Sequence, residues 1–152
     1  MKYNKTIIIP KEEAVFYLDS NGKWQNQHGE FQKKSISDYF HASIQKDEFG
    51  YHLCQVNGDI LEKVYFRHED TALFVFNIAR NPETNELILK LNTGLEFIIE
   101  PEQLFIKNDF LYLKKGSDLI KFSERCLMQL SKFIEEINNR FFLNYNDRKY
   151  SL

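Results

Sequence analysis

This chain is short of the residues that mark several protein classes. It has two cysteines, three prolines and six glycines in 152 residues, and its 20 basic and 22 acidic side chains leave a net charge of -2. So few prolines and glycines exclude a collagenous or linker-rich protein. The charge balance excludes a nucleic-acid binder that works by a bulk basic field. Cys54 and Cys126 form no C-x-x-C pair, and two free thiols of a cytosolic protein are the expectation, with a lone disulfide as the alternative. The apolar stretch Ile7-Ile8-Ile9 stops at Pro10. That is far short of the ~7–15 residues of a secretory apolar region or the ~20 of a membrane span. A cytoplasmic location is therefore expected.

What the chain does have is apolar and aromatic mass. Hydrophobic residues make up 43%, with 14 Phe, 8 Tyr and a single Trp, enough for one compact domain or two small lobes. Short β-type runs open the sequence at Thr6–Ile9, Ala14–Leu18 and Lys23–Gln27, the last two joined by the turn residues Asp19-Ser20-Asn21-Gly22. After the polar stretch at residues 26–34, a helix is expected from a Ser35 cap, with Ile36, Tyr39, Phe40, Ser43 and Ile44 on one face and Gly50 ending it. Tyr51–Val56 and Asp59–Phe66 read as a hairpin around Asn57-Gly58. Further strands are expected at Thr71–Ala79, Leu87–Asn92, Leu95–Ile99, Leu104–Lys107 and Phe110–Lys114. Ser123 should cap the longest helix, with Leu127, Leu130, Phe133, Ile134 and Ile137 inward, followed by a terminal hairpin around Asn146-Asp147.

The fold class expected from this order is α+β, with two β-rich lobes of mostly antiparallel strands and one helix each. The lobes are placed at residues 1–50 and 51–138, with 139–152 a terminal hairpin or tail. About seven strands followed by a helix make the second lobe pleckstrin-homology-like.

No G-x-S-x-G elbow, P-loop, G-x-G-x-x-G or H-E-x-x-H is present, so no catalytic, metal or cofactor assignment follows. His52 and Cys54 share a strand face, and Cys126 lies in the first turn of a helix, but both read as packing residues. Three features point to binding. Trp24, Phe31, Tyr39, Phe40 and Phe49 are dense enough to stack a ring. Lys33-Lys34 precede a helix and suit an anion. Arg67-His68-Glu69-Asp70 is a charged corner between strands.

Asp19-x-x-Gly22-x-Trp24, Gly29, the basic pair, Phe40 and Ile44, and then Asp47-x-x-Gly50-Tyr51-x-Leu53 form a pattern that resembles the bacterial family known as domain of unknown function 1285. Glu62-Lys63, Glu69-Asp70, the Ala72–Phe76 run, Phe110–Leu113 and the Ser123 helix extend the resemblance over most of residues 14–137. It implies a two-lobed α+β fold with repeated elements, a site between the lobes for a nucleotide-like ligand, and a role in signal transduction.

The leading expectation is a small cytoplasmic sensor or adaptor that binds a nucleotide-like ligand between its lobes, through Trp24, Lys33, Lys34, Arg67 and His68. The alternative is a protein-interaction module, or a homodimer, that works by strand addition at Thr6–Ile9 or Phe141–Leu152. An enzyme ranks third.

Overall fold

The structure, a computed structural model, describes residues 3–152 and divides into two compact units that meet at Ala72 and Leu73. The first unit runs β1 (Lys5–Ile9), a 3-10 turn (Lys11–Glu13), β2 (Phe16–Leu18), β3 (Trp24–Asn26), β4 (Gly29–Glu30), α1 (Lys34–Ala42), β5 (Ile44–Asp47), β6 (Gly50–Asn57), β7 (Ile60–Tyr65) and β8 (Arg67–His68). The second begins with β9 (Leu73–Arg80) and β10 (Leu87–Leu91). It continues with β11 (Glu96–Ile98), a 3-10 turn (Pro101–Gln103), β12 (Leu104–Lys107), β13 (Phe110–Lys115), β14 (Asp118–Phe122), α2 (Glu124–Ser131), β15 (Ile134–Ile137), β16 (Arg140–Tyr145) and β17 (Arg148–Ser151).

From β1 to β7 and again from β11 to β17 the order is the same: strand, 3-10 turn, three strands, helix, three strands. The repeat reaches single hydrogen bonds. Cys54 N–H donates to the Ser43 carbonyl at 2.9 Å, and Asn144 N–H donates to the Phe133 carbonyl at 2.9 Å, each tying the strand after the hairpin to the end of its helix. The repeated elements that the family resemblance implied are present, and the α+β, β-rich class is as expected.

The expected lobe boundary after residue 50 gives way to one at 72/73. The cause is non-local pairing: β1 runs parallel to β7, Lys5 opposite Ile60 through Ile9 opposite Val64. That closes a sheet ordered β1-β7-β6-β5 and holds the hairpin of residues 50–65 in the first unit. The second unit carries a six-stranded sheet ordered β11-β10-β9-β14-β13-β12 and a separate meander β15-β16-β17. Its helix therefore lies between strands and does not close the unit, as the pleckstrin-homology-like order would require.

Three local expectations are also corrected. α1 starts at Lys34 with Lys33 in the cap position and no side-chain cap, and it ends before Ile44, which enters β5. β14, unforeseen, follows Gly116 (φ 60°) and pairs both with β13 and, in parallel, with β9. The long helix stops at Ser131. Residues 134–137 form a strand because Asn138 and Asn139 adopt positive φ (52° and 65°) and return the chain as β16, placing Leu143 opposite Ile134. The Ser123 cap holds, its Oγ accepting from Cys126 N–H at 3.3 Å.

Each unit buries its own core. Leu18, Trp24, Leu53 and Phe66 fill the first; Phe74, Leu89, Leu111, Leu113, Ile120, Phe122 and Leu130 fill the second. Among the described residues, no helix is long and apolar enough to cross a membrane.

Candidate ligand-binding groove

In the first unit, β2 pairs antiparallel with β3 on one side and parallel with β8 on the other, so Tyr17 lies opposite Arg67 and Leu18 opposite His68. The β2–β3 turn is set by Asp19, whose carboxylate accepts from the Asn21 and Lys23 N–H groups (2.9 Å each) and from the Gln25 amide (2.9 Å), while Gly22 takes φ 78°. Glu69 fastens the other side: its N–H donates to the Leu18 carbonyl at 2.9 Å, and its carboxylate accepts from Ser20 N–H at 3.0 Å. The charged corner is thus pinned along β2.

The surface enclosed is an open groove of about 560 Å³. Its lining includes Val15, Tyr17, Asn26, Gln27, Arg67 and His68, all from the first unit. Phe16 and Leu18 turn inward on β2, which leaves Val15 (80% exposed) and Tyr17 (38%) on the outer face as apolar and aromatic surface. The Arg67 side chain is exposed, and among the described residues no ion pair or hydrogen bond engages it. His68 sits edge-on to Tyr51 (5.8 Å between ring centroids) and Phe66 (6.3 Å). Desolvation there pushes its imidazole below the ordinary histidine value, and Lys11 adds to this, while Asp70 opposes it. The groove therefore pairs a permanent cation with an imidazole, an aromatic face and two side-chain amides, and the Glu69 carboxylate, held by Ser20 N–H, borders it as well. That set can hold an anionic group and a flat ring together.

Arg67 and His68 are brought together, but Trp24, Lys33 and Lys34 are not with them. Trp24 is 1% exposed and enclosed by Phe16, Phe40, Phe66 and His41, with centroids 5.0–5.7 Å away. Its faces are occupied by protein rings, so it anchors the core and has no surface to stack a ligand. Lys34 is ion-paired with Asp38 at 2.7 Å on the exposed side of α1, and neither Lys33 nor Lys34 lines the groove. Sequence reasoning missed Tyr17, Asn26 and Gln27. The available signal was alternation: Leu18 pointing inward makes Tyr17 face solvent.

A second cluster in the same unit is structural. The Asp47 carboxylate accepts from the Tyr65 hydroxyl (2.6 Å) and Lys63 (3.3 Å), with His52 Nδ1 at 3.8 Å. The Tyr65 hydrogen bond is the main reason that Asp47 is held down to about 2. Burial, then the Asp47 contact, pushes Tyr65 up to about 12. Cys126 is fully buried, and among the described residues no group of three or more His, Cys, Asp or Glu side chains is placed to hold a metal.

Two solved structures share this fold. One is a DUF1285 family protein from Silicibacter pomeroyi DSS-3, with a TM-score of 0.60 and 14% identity over 99% of this chain and 81% of that one. The other is a DUF1285 family protein from Shewanella baltica OS155, with a TM-score of 0.55 and 16% identity over 80% of this chain and 94% of that one. The resemblance read from the sequence is thus borne out in the fold. No protein-family model matches the sequence, and no curated protein matches it.

Proposed function

We propose that the first unit binds a small molecule carrying an anionic group and a flat ring, nucleotide-like in chemistry, and that the protein serves as a ligand-binding sensor or adaptor in signal transduction. The observation that carries this reading is Arg67, an exposed guanidinium without a partner among the described residues, set abreast of the exposed Tyr17 ring in one groove. An arginine fork takes a phosphate or carboxylate in a bidentate manner, and the tyrosine ring offers a stacking face at little entropic cost. Asn26 and Gln27 supply polar groups for the ring edge. Glu69, a carboxylate bordering the groove, accepts from the Ser20 N–H and helps to fix the corner.

The test is thermal unfolding against nucleotides, cyclic nucleotides and dinucleotides. A ligand at about 100 times its Kd adds about 2.7 kcal/mol, a rise of roughly 5–10 °C for a chain of this size. The rise should vanish in Arg67→Ala and Tyr17→Ala and persist in Lys34→Ala. A flat panel at millimolar ligand, or an unchanged shift in Arg67→Ala, would reject the reading.

A second reading, strand addition by a partner or a second copy, has its own observation. β17 is the outer strand of its meander, whereas the matching strand β7 carries β1 along its free side. Among the described residues, no backbone group of Lys149 or Ser151 is used outside the β16 ladder, although the 3-10 turn at residues 101–103 lies beside β17. Sedimentation should then show a dimer weakened by Lys149→Pro; a monomer at every concentration would reject it.

A further inference from the structure

The second unit contains a cavity of a different character from the groove. A slot of about 220 Å³ opens between the ends of β9 and β10 and the last turn of α2. Ile78, Ala79, Leu87, Leu130 and Phe133 make its walls. A smaller extension of about 50 Å³ continues past Phe133 to Leu143 and Tyr145. Leu87 N–H, at the junction, donates to the Tyr145 hydroxyl at 3.0 Å. Gln129 also borders the slot, and Asn85, Asn144 and Asn146 border the extension, so the apolar surface lies in the slot and the amides at its edges.

Charge is confined to the mouth. Arg80, at the end of β9, lines both the slot and its extension, and Lys132 lines the slot directly after α2. The Arg80 side chain makes no ion pair or hydrogen bond among the described residues. Lys132 Nζ stands 5.3 Å from the Phe133 ring centroid, with no ion pair among the described residues. Glu86 precedes Leu87, but its carboxylate is not within ion-pair distance of either cation. Two cations at the rim of a mainly apolar slot complement one ligand chemistry: an anionic head on a short apolar body.

We infer that the second unit binds a short amphiphilic carboxylate, its apolar chain in the slot against Ile78, Leu130 and Phe133 and its carboxylate on Arg80 with Lys132 alongside. The slot lies below the ~300–1,000 Å³ of sites for drug-sized ligands. It has room for about seven water-sized groups, so long acyl chains are excluded. This site is independent of the first-unit groove, and neither stands or falls with the other.

Titration of hexanoate and octanoate into the full chain, followed by calorimetry and by methyl NMR, tests the assignment. Saturable shifts confined to the methyls of Ile78, Leu87 and Leu130 are expected. Hexanol and hexylamine should bind at least about tenfold more weakly, because they lack the anionic head. Arg80→Ala should weaken hexanoate by about tenfold or more, and Arg80→Lys by less. Arg80 is exposed, so its variants should keep the wild-type circular dichroism spectrum. Equal binding of hexanol and hexanoate, an unchanged affinity in Arg80→Ala, shifts spread over both units, or no saturation at millimolar ligand would each overturn the inference.

Discussion

The two units repeat one order of elements with different chemistry around the helix. In the first, α1 is seated by aromatic rings: Phe40 meets Phe16 at 5.0 Å, Phe31 at 5.2 Å and Trp24 at 5.4 Å, mostly edge to face. In the second, α2 buries Cys126 and Leu130, and beside Phe133 an apolar slot stays open. Interlocked rings seal the first helix, and the candidate site there lies outward, in the polar groove on β2 and β8. Aliphatic packing leaves room at the second helix, and the candidate site moves inward. A repeated topology thus fixes where helices and hairpins fall while leaving side-chain volume free to decide where cavities form.

The largest expected effect breaks the aromatic seal. Trp24→Ala should cost about 3–5 kcal/mol in denaturant unfolding. Trp24→Phe should cost less than about 1.5 kcal/mol, since the indole N–H has no hydrogen-bond partner to lose. Leu130→Ala in the other unit should cost about 2–5 kcal/mol. If Trp24→Ala proves no worse than Trp24→Phe, the seal is not what holds α1.

Acid comes next, and it should act on the first unit through His41. Burial against Trp24 lowers this imidazole from 6.5 to about 4, outweighing the opposing pull of Asp38 and the Gly22 hydrogen bond. Because the folded state prefers the neutral ring, stability is whole above pH 6.5 and declines as the pH falls toward 4, by about 3 kcal/mol in all. His41→Gln should flatten that part of the stability profile; an unchanged slope would remove His41 as its source.

Tyr65→Phe is gentler. Loss of its hydroxyl should raise the Asp47 carboxyl back toward the ordinary aspartate range, read by carboxyl NMR titration, so the stability Asp47 contributes would fade at a higher pH on acidification. Smallest of all, Asn139→Gly should stabilise the β15–β16 hairpin by a few tenths of a kcal/mol, since φ is already 65° there and glycine adopts it freely. Thermal unfolding would show it, and a loss of stability would mean that the Asn139 side chain contributes to the turn.

Where structure depends on a few adjacent residues, the sequence was easy to read. Asn108-Asp109 and Asn146-Asp147 stand at positive φ in the two-residue turns expected of them. At Asn57-Gly58 the hairpin was right but the turn shifted by one residue, with Asn57 pairing Ile60. Phe133, Ile134 and Ile137 misled because their spacing also fits a helix face; Phe133 lies in the turn after α2, and the return of residues 140–145 makes Ile134–Ile137 a strand. Of the candidate site, Arg67 and His68 were legible as a charged corner, while Trp24 was misassigned, since an aromatic residue looks the same in sequence whether it lines a pocket or fills a core.

By itself, the sequence determined the β-rich class, most hairpins and the Ser123 cap, because turn dihedrals, capping bonds and period-two alternation are properties of neighbouring residues. Only the tertiary structure decided the unit boundary, the neighbour of each edge strand, the exposure of Tyr17 beside Arg67 and the slot under Phe133. Those depend on contacts between residues far apart in the chain, such as Ile9 with Val64 or Tyr17 with Arg67, which no local pattern encodes.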